Sequence, residues 1–91
     1  MYHPLSSVST TDMDTAIRDL LLARRLVASG AARAVREGAG LSRREVADAV
    51  GVTLGAVQLW ERGARSPRGT KGAAYGALLR ELMAGCAGVA S

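Results

Sequence analysis

The residues able to do chemistry in this sequence are its arginines. From Arg62 to Lys71 the chain carries Arg62, Arg65, Arg68 and Lys71 and not one acid. Gly63, Pro67, Gly69 and Gly72 keep this stretch from forming a helix, so it reads as a basic loop over 63–72. Guanidinium groups without acidic partners bind phosphate oxygens in bidentate fashion. A second anion site is written upstream. Ser42 stands where a helix begins, and Arg43 and Arg44 follow it. The free N–H groups of a first turn, a hydroxyl and Arg43 together hold a phosphate. Arg44 points either to the same anion or to solvent.

Counting excludes most other chemistry. Cys86 is the one cysteine, so there is no internal disulfide and no cysteine metal cluster, and His3, the one histidine, stands near the N-terminus and offers no usable Ser/Cys–His pair. No glycine-rich phosphate loop and no cluster of catalytic carboxylates is present, so neither an enzyme nor a cofactor is expected. With no Phe, two Tyr and one Trp, stacking on single strands is not expected either. Twelve Lys+Arg against eight Asp+Glu give a net charge of +4, and the pI is near 10.2. No apolar run approaches membrane-spanning length and no signal peptide opens the chain. The expectation is a reducing cytoplasm, in contact with the nucleoid of a bacterial or phage-infected cell.

The elements that must position these arginines centre on Leu41–Gly63. Ser42 and Glu45 have capping-box spacing. Val46, Ala47, Ala49 and Val50 follow as an inward face. Gly51 ends this helix, Val52 plugs the angle and Thr53 caps a second helix with Val57 and Trp60 inward. Two capped helices of about two turns around a Gly-containing turn are the sequence form of a helix-turn-helix, over residues 42–62. Residues 91 in all make one small domain. Met1–Met13 reads as a loose polar arm over 1–13. Asp12 or Asp14 caps an extra helix over 14–28, with a stripe of Ile17, Leu20, Leu21, Arg24, Val27 and Ala28 widened by Leu22 and Leu26. That width suits either a packing helix or a dimerisation helix. Ser29-Gly30 marks a break, unless one helix runs on to Glu37. Ala32 and Val35 face inward in the short helix Ala31–Glu37. Thr70 caps a closing helix over 71–84 with Ala74, Tyr75, Leu78, Leu79 and Leu82 inward, and 85–91 reads as a frayed tail.

The ordered set Gly40-Leu41-Ser42-Arg43-Arg44-Glu45-Val46-Ala47, Gly51-Val52-Thr53, Val57, Trp60-Glu61-Arg62-Gly63 and Pro67 resembles the lambda-repressor-like, Cro-type (XRE) helix-turn-helix family. The likeness spans roughly Ala31 to Met83. It implies an all-α domain of about five helices with an extra N-terminal helix. It implies that Thr53, Leu54, Gly55 and Gln58 face DNA bases, while Val57 and Trp60 are buried. It further implies a DNA-backbone contact from Arg43 and a structural pair of Arg36 with Glu61; the helix start adds Ser42 and Arg44 as backbone contacts, and the basic loop adds Arg62, Arg65, Arg68 and Lys71. Leu54 and Gly55 depart from the family's polar residues. Leu54 offers contact only to a thymine methyl, whereas Gln58 can bridge an adenine. The implied function is sequence-specific double-stranded DNA binding by a homodimeric phage or mobile-element repressor that occludes a palindromic operator. The alternative is an antitoxin or other protein-interaction adaptor on the same fold, with residues 14–28 meeting the partner.

Overall fold

The computed structural model describes residues 4–90, with side chains from 13 to 85. Five helices follow one another: α1 (Pro4–Ser29), α2 (Ala31–Gly38), α3 (Arg43–Val50), α4 (Leu54–Glu61) and α5 (Gly69–Ala90). The fold is all-α. Two long helices, α1 and α5, lie against each other, and the three short ones pack on one side of them.

The core is small and continuous. Ala23 and Val27 of α1, Ala32 of α2, Val46, Ala47 and Val50 of α3, Val57 and Trp60 of α4, and Tyr75 and Leu79 of α5 are buried in it. Leu26, Val35, Leu41, Val52, Ala74 and Leu78 close it from the sides. Trp60 stacks on Tyr75 with ring centroids 4.6 Å apart and planes 27° from parallel. Ala49, expected inward, is exposed. Three residues on from Val46, it sits at the edge of the buried face, on the side away from Ala47.

The outer helices differ from the sequence expectation in extent and in facing. Helix α1 begins at Pro4, so the expected loose arm is largely helical; residues 1–3 lie outside the described residues. Proline suits a first helical position, and neither Gly nor Pro interrupts Leu5–Ser29. Asp12 and Asp14 are therefore inside the helix rather than at its cap, and Asp14 takes an i,i+4 bond from Arg18 Nε at 3.1 Å. Helix α1 ends at Gly30, whose φ is 81°, which makes 14–37 two helices. Helix α5 starts at Gly69, ahead of Thr70, and continues to Ala90. Thr70 is thus inside α5, the basic loop ends at Arg68, and most of the expected tail is helix; Ser91 lies outside the described residues.

The face that α1 buries is set by size. Asp19, Ala23 and Val27 point inward, while Ile17 is 55% and Leu21 49% exposed. Arg24 and Ala28 are exposed as well, so Val27 alone of the expected stripe is fully buried. The cause is on α5. Gly72 and Gly76 are buried, and a Cβ at Gly76 would run into the Asp19 backbone. A Cβ at Gly72 would lie 2.8 Å from the carbonyl carbon of Pro67. Gly76 lets the α5 backbone approach that of α1 at Asp19, and Gly72 makes room for the Leu20 side chain and the Pro67 backbone. Arg80 Nε and Nη2 then reach the two carboxylate oxygens of Asp19 at 2.9 and 3.3 Å and fix the register of the pair.

Candidate nucleic-acid interface

Local sequence builds the motif. Ser42 Oγ accepts from Glu45 N at 3.0 Å, and Glu45 Oε1 accepts from Ser42 N at 2.8 Å, completing a capping box at the start of α3. The Ser42 backbone bond, then its hydroxyl, holds the Glu45 carboxyl below the usual carboxylate range. Gly51 ends α3 with φ 85°, and its N–H and that of Val52 both return to the Ala47 carbonyl, at 2.8 and 3.0 Å. This positive φ turns the chain sharply enough for Thr53 to start α4 at once. Thr53 Oγ1 accepts from Ala56 N at 3.1 Å. The Thr53 hydroxyl, which only accepts here, still has its own proton to donate.

One carboxylate locks the motif to its neighbours. The Glu61 side chain is 3% exposed. Arg36 donates to it from Nε at 2.6 Å and from Nη2 at 3.1 Å, and Arg43 Nε donates at 3.0 Å. Arg36 Nη1 also donates to the Leu41 carbonyl at 2.8 Å. Helices α2, α3 and α4 thus meet on Glu61. The bond to Glu61, opposed by burial, holds the Arg36 guanidinium above its ordinary range. Two guanidiniums on one carboxylate leave the cluster cationic. Tyr75 lies beneath it with a buried hydroxyl that has no hydrogen-bond partner among the described residues. Burial first, and the Glu61 charge second, push its phenol up to about 12.

The expected contact residues fall into three groups. Thr53, Gly55 and Gln58 are exposed on the outer side of α4, and Leu54 is half-buried beside them. Gln58 lines a shallow recess of about 320 Å³ together with Arg33, Arg43, Glu61 and Arg62. Arg65 and Arg68 line a second recess with Trp60, Ala64 and Ser66, following directly on α4. Among the described residues no ion pair involves Arg44, Arg62, Arg65, Arg68 or Lys71. Arg43 differs from these, since Glu61 engages it and its side chain is 38% exposed. Lys71 stands apart from the loop, because its ammonium reaches over Gly51, 2.9 Å from where a Cβ would sit. A cation there faces the C-terminal carbonyls of α3.

Sequence reasoning missed two residues. Arg33 borders the Gln58 recess and bonds Glu37 at 3.0 Å; that bond, ahead of its charge, lowers the Glu37 carboxyl. The signal was the i,i+4 spacing of Arg33 and Glu37. Arg24 donates from Nε to the Pro67 carbonyl at 3.0 Å, tying α1 to the end of the basic loop. Nothing in the local sequence announces that contact.

Residues 33–75 match the family model HTH_3, described as helix-turn-helix. The chain contains a helix-turn-helix domain of the XRE/Cro type. The match runs from α2 through the first turns of α5, with α1 and the rest of α5 flanking it. No curated protein and no solved structure matches the chain. Domains of this type are DNA-binding regulatory modules rather than catalytic ones. Among the described residues no helix is long and apolar enough to cross a membrane, and no cluster of His, Cys, Asp or Glu suits a metal ion.

Proposed function

We propose that this helix-turn-helix protein is a sequence-specific, double-stranded DNA-binding repressor of the phage or mobile-element kind, working as a homodimer in the cytoplasm. The first half of α4 enters the major groove, with Gln58 and Thr53 reading base edges and Leu54 meeting a thymine methyl. Arg62, Arg65 and Arg68 run along the phosphates that flank it, and the α3 N-terminus with Ser42, Arg43 and Arg44 holds the phosphate on the other side. Two copies then occupy successive major grooves about 34–36 Å apart and block polymerase by occupancy.

The observation that supports this reading most is Gly55. It costs helix stability, yet nothing inside the protein requires it. A Cβ there would meet only Thr53 Oγ1, at 3.9 Å, an ordinary contact. A missing side chain on an exposed, cation-flanked helix face admits a partner backbone at close range.

The test is binding of the full chain to duplex DNA from upstream of its own gene and to scrambled duplex across a salt series. Tight binding to the first and weak, steeply salt-dependent binding to the second supports the reading. The slope then counts the phosphates neutralised. Equal, weak binding to both contradicts it.

A further inference from the structure

The exposed face of α1 carries a pattern that neither the core nor the DNA-binding face uses. Ile17 and Leu21 are 55% and 49% exposed, and Met13 at their edge is 66% exposed. A shallow apolar groove lined by Ala16, Ile17, Leu20, Gly69, Thr70 and Ala73 runs beside them. At the two ends of this patch stand Asp14 and Arg24. The four positions 14, 17, 21 and 24 are separated by steps of 3, 4 and 3, which places them in one strip along the helix.

We infer that this strip is the homodimer seam, with α1 lying antiparallel on α1 of a second copy. This seam presupposes the homodimer proposed above. The steps read the same in both directions, so an antiparallel copy sets Asp14 against Arg24, Ile17 against Leu21, Leu21 against Ile17 and Arg24 against Asp14. At these four positions each charge meets its opposite and each apolar residue an apolar one. A parallel pair sets Asp14 on Asp14 and Arg24 on Arg24, which repels at both ends. The seam is thus complementary to itself only with a two-fold axis across α1, the symmetry of a closed dimer. Its charged residues are ready for the role. Among the described residues Asp14 is held only by Arg18, in an exposed pair, and the Pro67 carbonyl orients the Arg24 guanidinium through Nε while the residue stays exposed. The patch is short, so the free dimer is weak, and two operator half-sites strengthen it by raising the effective concentration.

The seam makes an unusual mixing experiment possible. Asp14→Arg puts like charges at both ends of a homodimer, and so does Arg24→Asp. Mixed together, the two variants restore opposite charges at both ends. Sedimentation of the full chain without DNA measures self-association, and thermal melts by circular dichroism check folding. Each single variant should dimerise about tenfold more weakly than the parent, and the equimolar mixture should regain the parent affinity. Ile17→Glu should stay monomeric alone and in every mixture. If Arg24→Asp lowers the melting temperature through loss of the Pro67 bond, Asp14→Arg and Ile17→Glu decide the matter on their own.

A parent chain that stays monomeric overturns the proposal and assigns the face to another protein. Unchanged association of folded Asp14→Arg and Ile17→Glu overturns it too, as does a folded mixture that fails to recover. Duplex binding of the same samples separates the two readings. A monomer that still selects its operator removes the seam but keeps the DNA-binding function. A dimer indifferent to DNA does the reverse.

Discussion

The three short helices and the two long ones are held by opposite means. Helices α2, α3 and α4 have 8 residues each, too few to be stable alone. Polar devices fix α3 and α4: a capping box on α3, a Thr53 cap on α4, and the Arg36–Glu61–Arg43 cluster that joins both to α2. Helices α1 and α5 have 26 and 22 residues and are joined by the absence of side chains at Gly72 and Gly76. Polar locks hold a surface in register without covering it, which leaves the outer side of α4 exposed. Close backbone packing covers one face of α1 completely and leaves the opposite face, with Ile17 and Leu21, bare.

The largest predicted effect breaks the long-helix side. Gly76→Val drives a branched side chain into the Asp19 backbone and should cost about 3 kcal/mol or more, or abolish folding; chemical denaturation measures it. Glu61→Ala attacks the other side. It leaves Arg36 buried without its carboxylate, and a loss of about 3 kcal/mol is expected. Exchange of amide hydrogens should then show α2 and α4 opening while α1 and α5 stay protected. Equal loosening of all five helices would mean that the two sides are not separate in this sense.

Gly55→Ala has a smaller effect and opposite signs in two assays. The fold should gain about 0.5–1 kcal/mol in a melt, because Ala suits a helix better and its Cβ has room. Operator affinity should fall, because the added methyl stands between α4 and the groove. A gain in both assays would remove Gly55 from the interface. Smallest at neutral pH is Tyr75→Phe, which keeps the stack on Trp60 and removes a buried hydroxyl without a partner among the described residues. Its effect appears in alkali. The folded phenol titrates at about 12 against an ordinary 10.0, so its contribution is intact below 10.0 and is lost as pH rises towards about 12. The Phe variant should lose stability less steeply over that window, read by denaturation at stepped pH.

The two sides also differed in how far the sequence disclosed them. Helices α3 and α4 start and stop on local signals, Ser42, Gly51 and Thr53, so their limits were readable to within a residue or so. The spacing of charges cannot by itself bring Arg36 to Glu61 across 25 positions; the family resemblance suggested that pair, and the structure brings the two together. For α1 the apolar pattern pointed to Val27, which is buried, but also to Ile17 and Leu21, which are exposed, and it passed over Asp19 and Ala23. Hydrophobicity reports what can be buried, and the glycines of α5 decided what fits. The ends of α1 and α5 were misplaced because no cap or break stands at 14, 71 or 84, and a long helix without a stop signal simply continues.

The central claim is that the outer face of α4 reads bases. Selection of preferred sites from a randomised duplex pool, by the parent protein and by Gln58→Ala, tests it most directly. The account predicts a two-fold symmetric site for the parent, and for the variant the loss of preference at one adenine in each half-site with the rest of the site kept. Identical selected sites from the two proteins would contradict it.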